Sequence, residues 1–368
     1  MLLKYLINMD RKTKIIATVG PSLASEQKIH NAINSGVNVL RINFSHGNLK
    51  DHEQFINWAR SSKKQVAIMQ DIQGPKIRTG NVVKNTILQK SNEINLTNKE
   101  GESSKEIIFV NYKNLFKDVS VNDRVFIDDG QIILKITEKQ KDKLKALILI
   151  GGELRDNQGV AFPDSALSVS AITEQDIEHL KFGTEQDVDI VAVSFVRNKE
   201  DIQTVRDLIP KDVKIIAKIE LKTALENIDE ILQVSDGVMV ARGDLGVQLP
   251  IEQVPFVQKQ ILDAANRKGK ISITATEMLQ SMKSSYRPTR AEVTDITNAI
   301  LEGSDAVMLS AETSIGDHPN RVIEVMSAIC EEVDSRNDTS SLLSKEDSKE
   351  DSFTTTLARA AVQIADDI

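Results

Sequence analysis

Cysteine is almost missing from this sequence: Cys330 is the only one among 368 residues. An intramolecular disulfide is therefore excluded, which fits a reducing compartment. Cys330 itself lies in an apolar helical pattern, VIEVMSAIC, and reads as buried packing. Aromatic residues make up only 4% of the chain, with one tryptophan, so the core has to be aliphatic. That suits buried parallel strands rich in Val and Ile. No apolar run approaches the length of a membrane-spanning helix. The first ten residues, MLLKYLINMD, are too short for a signal core followed by a cleavage site. Positive charge is not in excess either: the formal net charge is −8, and no segment is strongly basic. This argues against a nucleic-acid partner. The expectation is a cytoplasmic protein with no membrane or nucleic-acid partner. With 40% hydrophobic residues, the chain can bury a full core and hold more than one domain.

What the chain does have is a repeating strand–helix grammar. Apolar strand patterns fall at 14–19, 37–42, 66–71, 189–195, 213–219, 236–241, 270–276 and 305–310. Helical patterns at 25–36, 48–62, 170–183, 198–209, 251–268, 289–302 and 319–333 lie between and after them, with Ser25 placed to cap the first and Gly36 to close it. Eight such strands predict an α/β protein built on a closed (β/α)8 TIM barrel. An open doubly wound sheet would normally have fewer, and no GxGxxG follows the first strand. From 81 to 158 the helix signals vanish, leaving short β-rich segments such as DRVFIDDG and QIILKITEK. Asp129-Gly130 is a hairpin-type turn. The predicted organisation is a barrel domain of 1–80 and 159–334, with 81–158 inserted after the third strand as a small β-barrel lid. A polar linker at 335–352 leads to 353–368, the start of a truncated C-terminal domain, with Leu357, Ala360, Ala361 and Ile364 at helical spacing.

The stretch 213–246, VKIIAKIELKTALENIDEILQVSDGVMVARGDLG, reads as strand, helix, strand with charge at each strand exit. Alternation sends Lys218 and Glu220 to one face. Glu220 and Asp244, on neighbouring parallel strands, suit a hard divalent cation, since Mg²⁺ takes one or two carboxylates plus substrate oxygens. Lys218 beside it, expected in a solvated cleft, would stabilise a transferring group or an oxyanion. The other strand exits carry Arg41, Asn43 and Ser45; Asp71 and Arg78; Ser194 and Arg197; Arg242; Thr276; and Ser310 and Glu312. Any one of these alone reads equally well as a cap or a surface ion pair. As a ring at the carboxyl end of a barrel, they point to a substrate bearing phosphate and carboxylate, and to phosphoryl transfer. The Gly243 and Asp244 N–H groups, ahead of a turn, would receive the carboxylate.

The motifs LRINFSHG, DIQGPKIRTG, IDDG, VAVSFVR, AKIE, GVMVARGDLG, TATEML, RPTRAEVTDITNAI and DAVMLSAET, spread in order over residues 12–330, resemble those of the pyruvate kinase family. The resemblance implies Mg²⁺- (or Mn²⁺-) dependent phosphoryl transfer from phosphoenolpyruvate to ADP, giving pyruvate and ATP, the last step of glycolysis. It makes Glu220 and Asp244 the metal ligands and Arg41 and Lys218 the groups on the transferring phosphoryl, with Lys218 also serving the enolate. Thr276 is then near the face that takes up a proton, with Ser310 a relay member and Gly243 on the substrate carboxylate. Pro21, Asn43, His46 and Arg78 fall on the nucleotide side. Asn43, Ser45, Asp71 and Ile72 surround the monovalent cation, and the inserted domain closes as a lid.

Three departures stand out. Lys76 occupies the place of a Glu in potassium-dependent members, so its ammonium is expected to replace the cation and K⁺ not to be required; the plainer alternative is a simple pair with a carboxylate. Gln158 stands where a lysine on the nucleotide phosphates is usual, so weaker ADP binding is expected. Most of the family's C-terminal domain is missing, and with it the effector site and one interface of the family's homotetramer. A truncated chain that binds substrate or partners without turnover is the alternative. A Mg²⁺–enolate lyase is disfavoured by the lid insertion.

Overall fold

The computed structural model describes residues 11–165 and 167–336, together with Leu357, Ala360, Ala361 and Ile364. Three strands open the chain: β1 (Lys14–Thr18), β2 (Val39–Asn43) and β3 (Ala67–Ile72). The inserted segment holds β4 (Thr86–Leu88), β5 (Glu93–Thr97), β6 (Ile107–Phe109), β7 (Arg124–Ile127), β8 (Ile132–Lys139), β9 (Leu144–Ile150) and β10 (Gly152–Leu154); β11 (Val160–Ala161), just past its expected end at 158, still pairs with β7. The alternating grammar then resumes with β12 (Ile190–Val193), β13 (Lys214–Ile219), β14 (Gly237–Ala241), β15 (Ile271–Ala275) and β16 (Ala306–Leu309). The first three and last five close into one parallel barrel, with β1 paired to both β2 and β16. The insert forms a six-stranded sheet and a two-stranded one, so the expected barrel with an inserted β domain is what the chain builds.

The apolar positions explain the layering. Ile15, Ile68, Val191, Ile215, Val238 and Val307 point outward and pack against the surrounding helices in one aliphatic core. Ile16, Met69, Ala192, Ile216, Met239 and Met308 point inward and fill the barrel as a second core. The insert has its own core around Val125, Leu134 and Ile148. Local signals set the helix starts: Ser25 accepts the Lys28 N–H, while Thr173 with Asp176 and Thr289 with Glu292 form reciprocal capping boxes. At the lid tip, Asp128, Asp129 and Gly130 all have positive φ (55°, 52° and 86°), the left-handed geometry that a tight β7–β8 turn demands.

Some expectations need correction. The helix between β13 and β14 is two helices, Lys222–Glu226 and Ile228–Val234, meeting at Asn227. The insert includes one helical turn, Leu115–Asp118. The last barrel helix runs Pro319–Arg336 and takes up the first two residues assigned to the linker; the rest of that linker lies outside the described residues. The four described positions of the final segment are helical and exposed.

Candidate active site

Strand alternation, continued upward, decides which side chains meet. Two residues beyond the inward Ile16, Met69, Ala192 and Ile216 stand Thr18, Asp71, Ser194 and Lys218, with Arg41 two beyond Val39 on β2. The apolar filling of the barrel is thus capped by a polar layer. In it, Arg41 Nε donates to Asp71 Oδ2 at 2.7 Å. Lys218 Nζ lies 3.2 Å from Asp71 Oδ1 and 2.9 Å from Glu220 Oε1. Lys218 also donates to Ser194 Oγ at 2.7 Å, and Arg41 Nη1 to Thr18 Oγ1 at 2.9 Å. The second Glu220 oxygen accepts the Phe195 N–H at 2.7 Å.

This is a ladder of two cations and two anions with little water around it. Asp71 and Glu220 are each 1% exposed, and the Lys218 side chain is 12% exposed. The expected solvated cleft is corrected for Lys218: it is a buried ion held on three sides. Burial works against the Asp71 charge, yet Arg41 and Lys218 hold its carboxyl below the usual range. Burial likewise opposes the Lys218 charge, and Asp71 and Glu220 outweigh it and raise its pKa. Glu220 is pushed up by burial, against the pull of Lys218, and the Asp244 carboxylate adds to the push.

Above this layer a cleft of about 600 Å³ separates barrel from lid. Glu220 and Asp244 line it from the barrel, Lys76 from the entry to the lid, and Phe126 and Asp129 from the lid itself. Asp129 is raised by burial and then by Asp244, which brings the lid-tip carboxylate into the electrostatic range of the barrel pair. Lys76 is exposed. It lowers Asp129 and, with Arg78 and Arg41, also lowers His46 after the effect of partial burial, so these cations face one region. Pro21, itself exposed, opens a 3₁₀ turn, Pro21–Leu23, after β1. Asn43 Oδ1 accepts the Ser45 N–H at 3.1 Å. The Ile72 carbonyl accepts from Ser194 Oγ at 2.7 Å.

Backbone strain gathers at the same end of the barrel. Phe195, Thr276 and Glu277 have φ of 54°, 70° and 55°. Such conformations cost about 1–3 kcal/mol each and collect at functional sites. Thr276 Oγ1 accepts the Gly243 N–H at 2.9 Å and donates to the Ala275 carbonyl at 2.7 Å. Ser310 sits just past β16, and its N–H is held by Glu312 at 2.7 Å.

Several residues of the expected ring do other work. Gly243 and Asp244 do not precede a turn: they lie in the first turn of a helix, Arg242–Gln248, and the Gly243 N–H is already bonded to Thr276. Arg197 turns onto Asp201 and the Val169 carbonyl, tying the return segment of the lid to the barrel. Arg242 is largely buried against Asp295. Glu312, 0% exposed, accepts the Leu279 and Ser310 N–H groups. Gln158 is not a free amide at the cleft surface. It is buried in the hinge, where Oε1 accepts the Arg155 N–H at 2.8 Å and its backbone pairs with Thr79. Sequence reasoning missed Thr18, the Phe195 N–H and Asp295. Only Thr18 had a usable signal, its inward position two beyond Ile16.

Among the described residues no three His, Cys, Asp or Glu side chains converge to cage a metal. A cation that uses one or two carboxylates and completes its shell with water and substrate oxygens does fit Glu220 and Asp244, which line one cleft and of which Glu220 is raised by burial and then by Asp244.

Comparison with known proteins agrees with this geometry. The family model "Pyruvate kinase, barrel domain" matches residues 10–323. A pyruvate kinase of Thermotoga maritima is 45% identical over 334 residues, covering 89% of this chain and 72% of that protein. One of Staphylococcus aureus strain MRSA252 is 42% identical over 344 residues, covering 91% of this chain. Against the staphylococcal relative the chain spans only 59% of the length. A match across nearly the whole barrel, joined to a closed eight-stranded sheet with an inserted β domain, places the chain in the pyruvate kinase family.

Proposed function

We propose that this chain transfers the phosphoryl group of phosphoenolpyruvate to ADP, yielding pyruvate and ATP. The observation that carries the reading is the buried ladder of Arg41, Asp71, Lys218 and Glu220 beneath a lidded cleft. Phosphoryl transfer calls for fixed charge and positioning more than for covalent chemistry. Asp71 orients Arg41 and Lys218, so both cations are preorganised where charge develops on the phosphoryl and enolate oxygens. Mg²⁺ held by Glu220 and Asp244 would tie the substrate oxygens together and neutralise their charge. Thr276, bonded to Gly243 beside Asp244, would serve enolpyruvate as its methylene carbon gains a proton. Asn43, His46, Arg78 and Pro21 form the nucleotide side, and the lid excludes water on closing.

The monovalent-cation neighbourhood of Asn43, Ser45, Asp71 and Ile72 is served instead by the Lys76 ammonium, so K⁺ is not required. The test is pyruvate formation from phosphoenolpyruvate, ADP and Mg²⁺, with and without K⁺. Turnover indifferent to K⁺ supports both readings. Turnover only with K⁺ removes the Lys76 argument. No turnover from folded protein leaves a chain that binds without catalysis.

A further inference from the structure

Arg242 was expected in the cleft, and its actual position bears on Thr276. The Thr276 backbone is improbable for its residue type, since a β-branched side chain at φ 70° is a steric outlier, and Glu277 follows it at 55°. Something has to hold the pair there. Arg242 Nη2 donates to the Thr276 carbonyl at 2.6 Å and lies 2.9 Å from Met278 Sδ, and its Nε donates to the Ala275 carbonyl at 3.3 Å. One guanidinium therefore grips the chain before, at and beyond the strained residue. Its remaining amine, Nη1, points the other way and donates to both oxygens of Asp295 at 2.7 Å. Asp295 lies on a different element, the helix Arg290–Leu301. The Arg242 side chain is 12% exposed and that of Asp295 39%.

We infer that Asp295 and Arg242 are positioning residues that set the Thr276 hydroxyl for the proposed reaction, and the inference rests on that reaction. Arg242 leads directly into Gly243, whose N–H donates to Thr276 Oγ1 at 2.9 Å. The hydroxyl is thus fixed from both ends: the guanidinium locks the backbone at Ala275 and Thr276, and the next residue along from Arg242 locks the side chain. Asp295 supplies the counter-charge that lets the guanidinium stay largely buried and fixes the plane of its fork. An ammonium at 242 would keep the charge but could not reach both strand-end carbonyls and Asp295 in one plane. Without the clamp, Thr276 is free to relax toward ordinary φ and carry its hydroxyl away from Gly243.

The test uses Asp295→Asn, Asp295→Glu, Arg242→Lys, Thr276→Val and the double variant Asp295→Asn/Thr276→Val. Hydrogen exchange of the Gly243 amide reads the clamp without any turnover. In Asp295→Asn and Arg242→Lys its protection is expected to fall at least about tenfold while that of the barrel strands holds. With phosphoenolpyruvate and ADP, Asp295→Asn should lower kcat about 10- to 100-fold and leave KM for phosphoenolpyruvate within about twofold. Exchange of pyruvate methyl protons with D₂O should slow in parallel, and Asp295→Glu should recover part of both rates. The double variant should be no slower than Thr276→Val alone, because Asp295 acts only through Thr276. Losses that multiply in the double variant, or unchanged Gly243 exchange in Asp295→Asn, would overturn the inference. If the wild type shows no turnover, the proposed function fails, and the Gly243 exchange still decides the clamp.

Discussion

Lys218→Ala separates catalysis from architecture most sharply, because the proposed reaction uses the lysine and the structure ties it into the charge ladder. It removes a cation that touches Asp71, Glu220 and Ser194. Breaking a buried ion pair by deleting one partner costs about 3–5 kcal/mol. Here the lower end applies, since Asp71 keeps Arg41 and Glu220 keeps the Phe195 N–H. At about 2–4 °C per kcal/mol for a domain of comparable size, a loss of about 3 kcal/mol lowers Tm by roughly 6–12 °C. Loss of a preorganised cation at the reacting oxygens should lower kcat by a further factor of about 10²–10³ or more. A matched control is Ile231→Ala, a 0% exposed residue of the outer core, with a similar expected cost of about 2–5 kcal/mol. Thermal unfolding by circular dichroism and pyruvate production at 25 °C would be read on both. The reasoning requires equal destabilisation with activity lost in Lys218→Ala alone. Equal loss of activity in the control, or Lys218→Ala retaining activity within about tenfold of wild type, refutes it.

Other expectations follow from the hinge and from a buried histidine pair. Gln158→Lys would place an ammonium where Gln158 is 7% exposed and bonded to Arg155. Calorimetry should show a loss of about 1–3 kcal/mol, with no improvement in KM for ADP; a tighter KM would restore the reading of Gln158 as a nucleotide contact. His52 and His179 pack on Phe44 with ring centroids 4.4 Å and 5.0 Å away. Burial lowers both pKa values from the ordinary 6.5, with His179 adding to the effect on His52. Well above pH 6.5 both states are neutral and stability is unaffected. As pH falls below 6.5 the unfolded chain binds protons that the folded chain resists, so stability declines. Urea melts between pH 7 and 5 should show that decline, and His52→Gln/His179→Gln should flatten it; an unchanged slope would exclude the pair as its source.

The fold was readable because two periodicities dominate the chain. Strand runs such as KIIAT and VLRIN, alternating with capped amphipathic helices, carry the barrel. The loss of helical spacing after residue 80 marks the insert. Alternation also assigned Lys218 and Glu220 to one face, and they lie 2.9 Å apart. Gly243 and Asp244 were harder, since a helix starting at Arg242 carries no N-cap side-chain bond that the sequence could announce.

What the sequence alone determined is therefore the set of strands, the end of the barrel they populate and the chemical types gathered there, since these depend on spacing along one chain. Tertiary structure decided the partnerships. Arg197 and Arg242 resemble Arg41 in sequence, each standing at a strand exit. Only closure of the barrel shows Arg41 on Asp71 and Arg242 on Asp295 of a flanking helix, whereas Arg197 takes Asp201, four residues on and within reach of a local pattern. A guanidinium is claimed by the nearest carboxylate in space. Distance in space is set by how strands and helices close on one another, which no local pattern encodes.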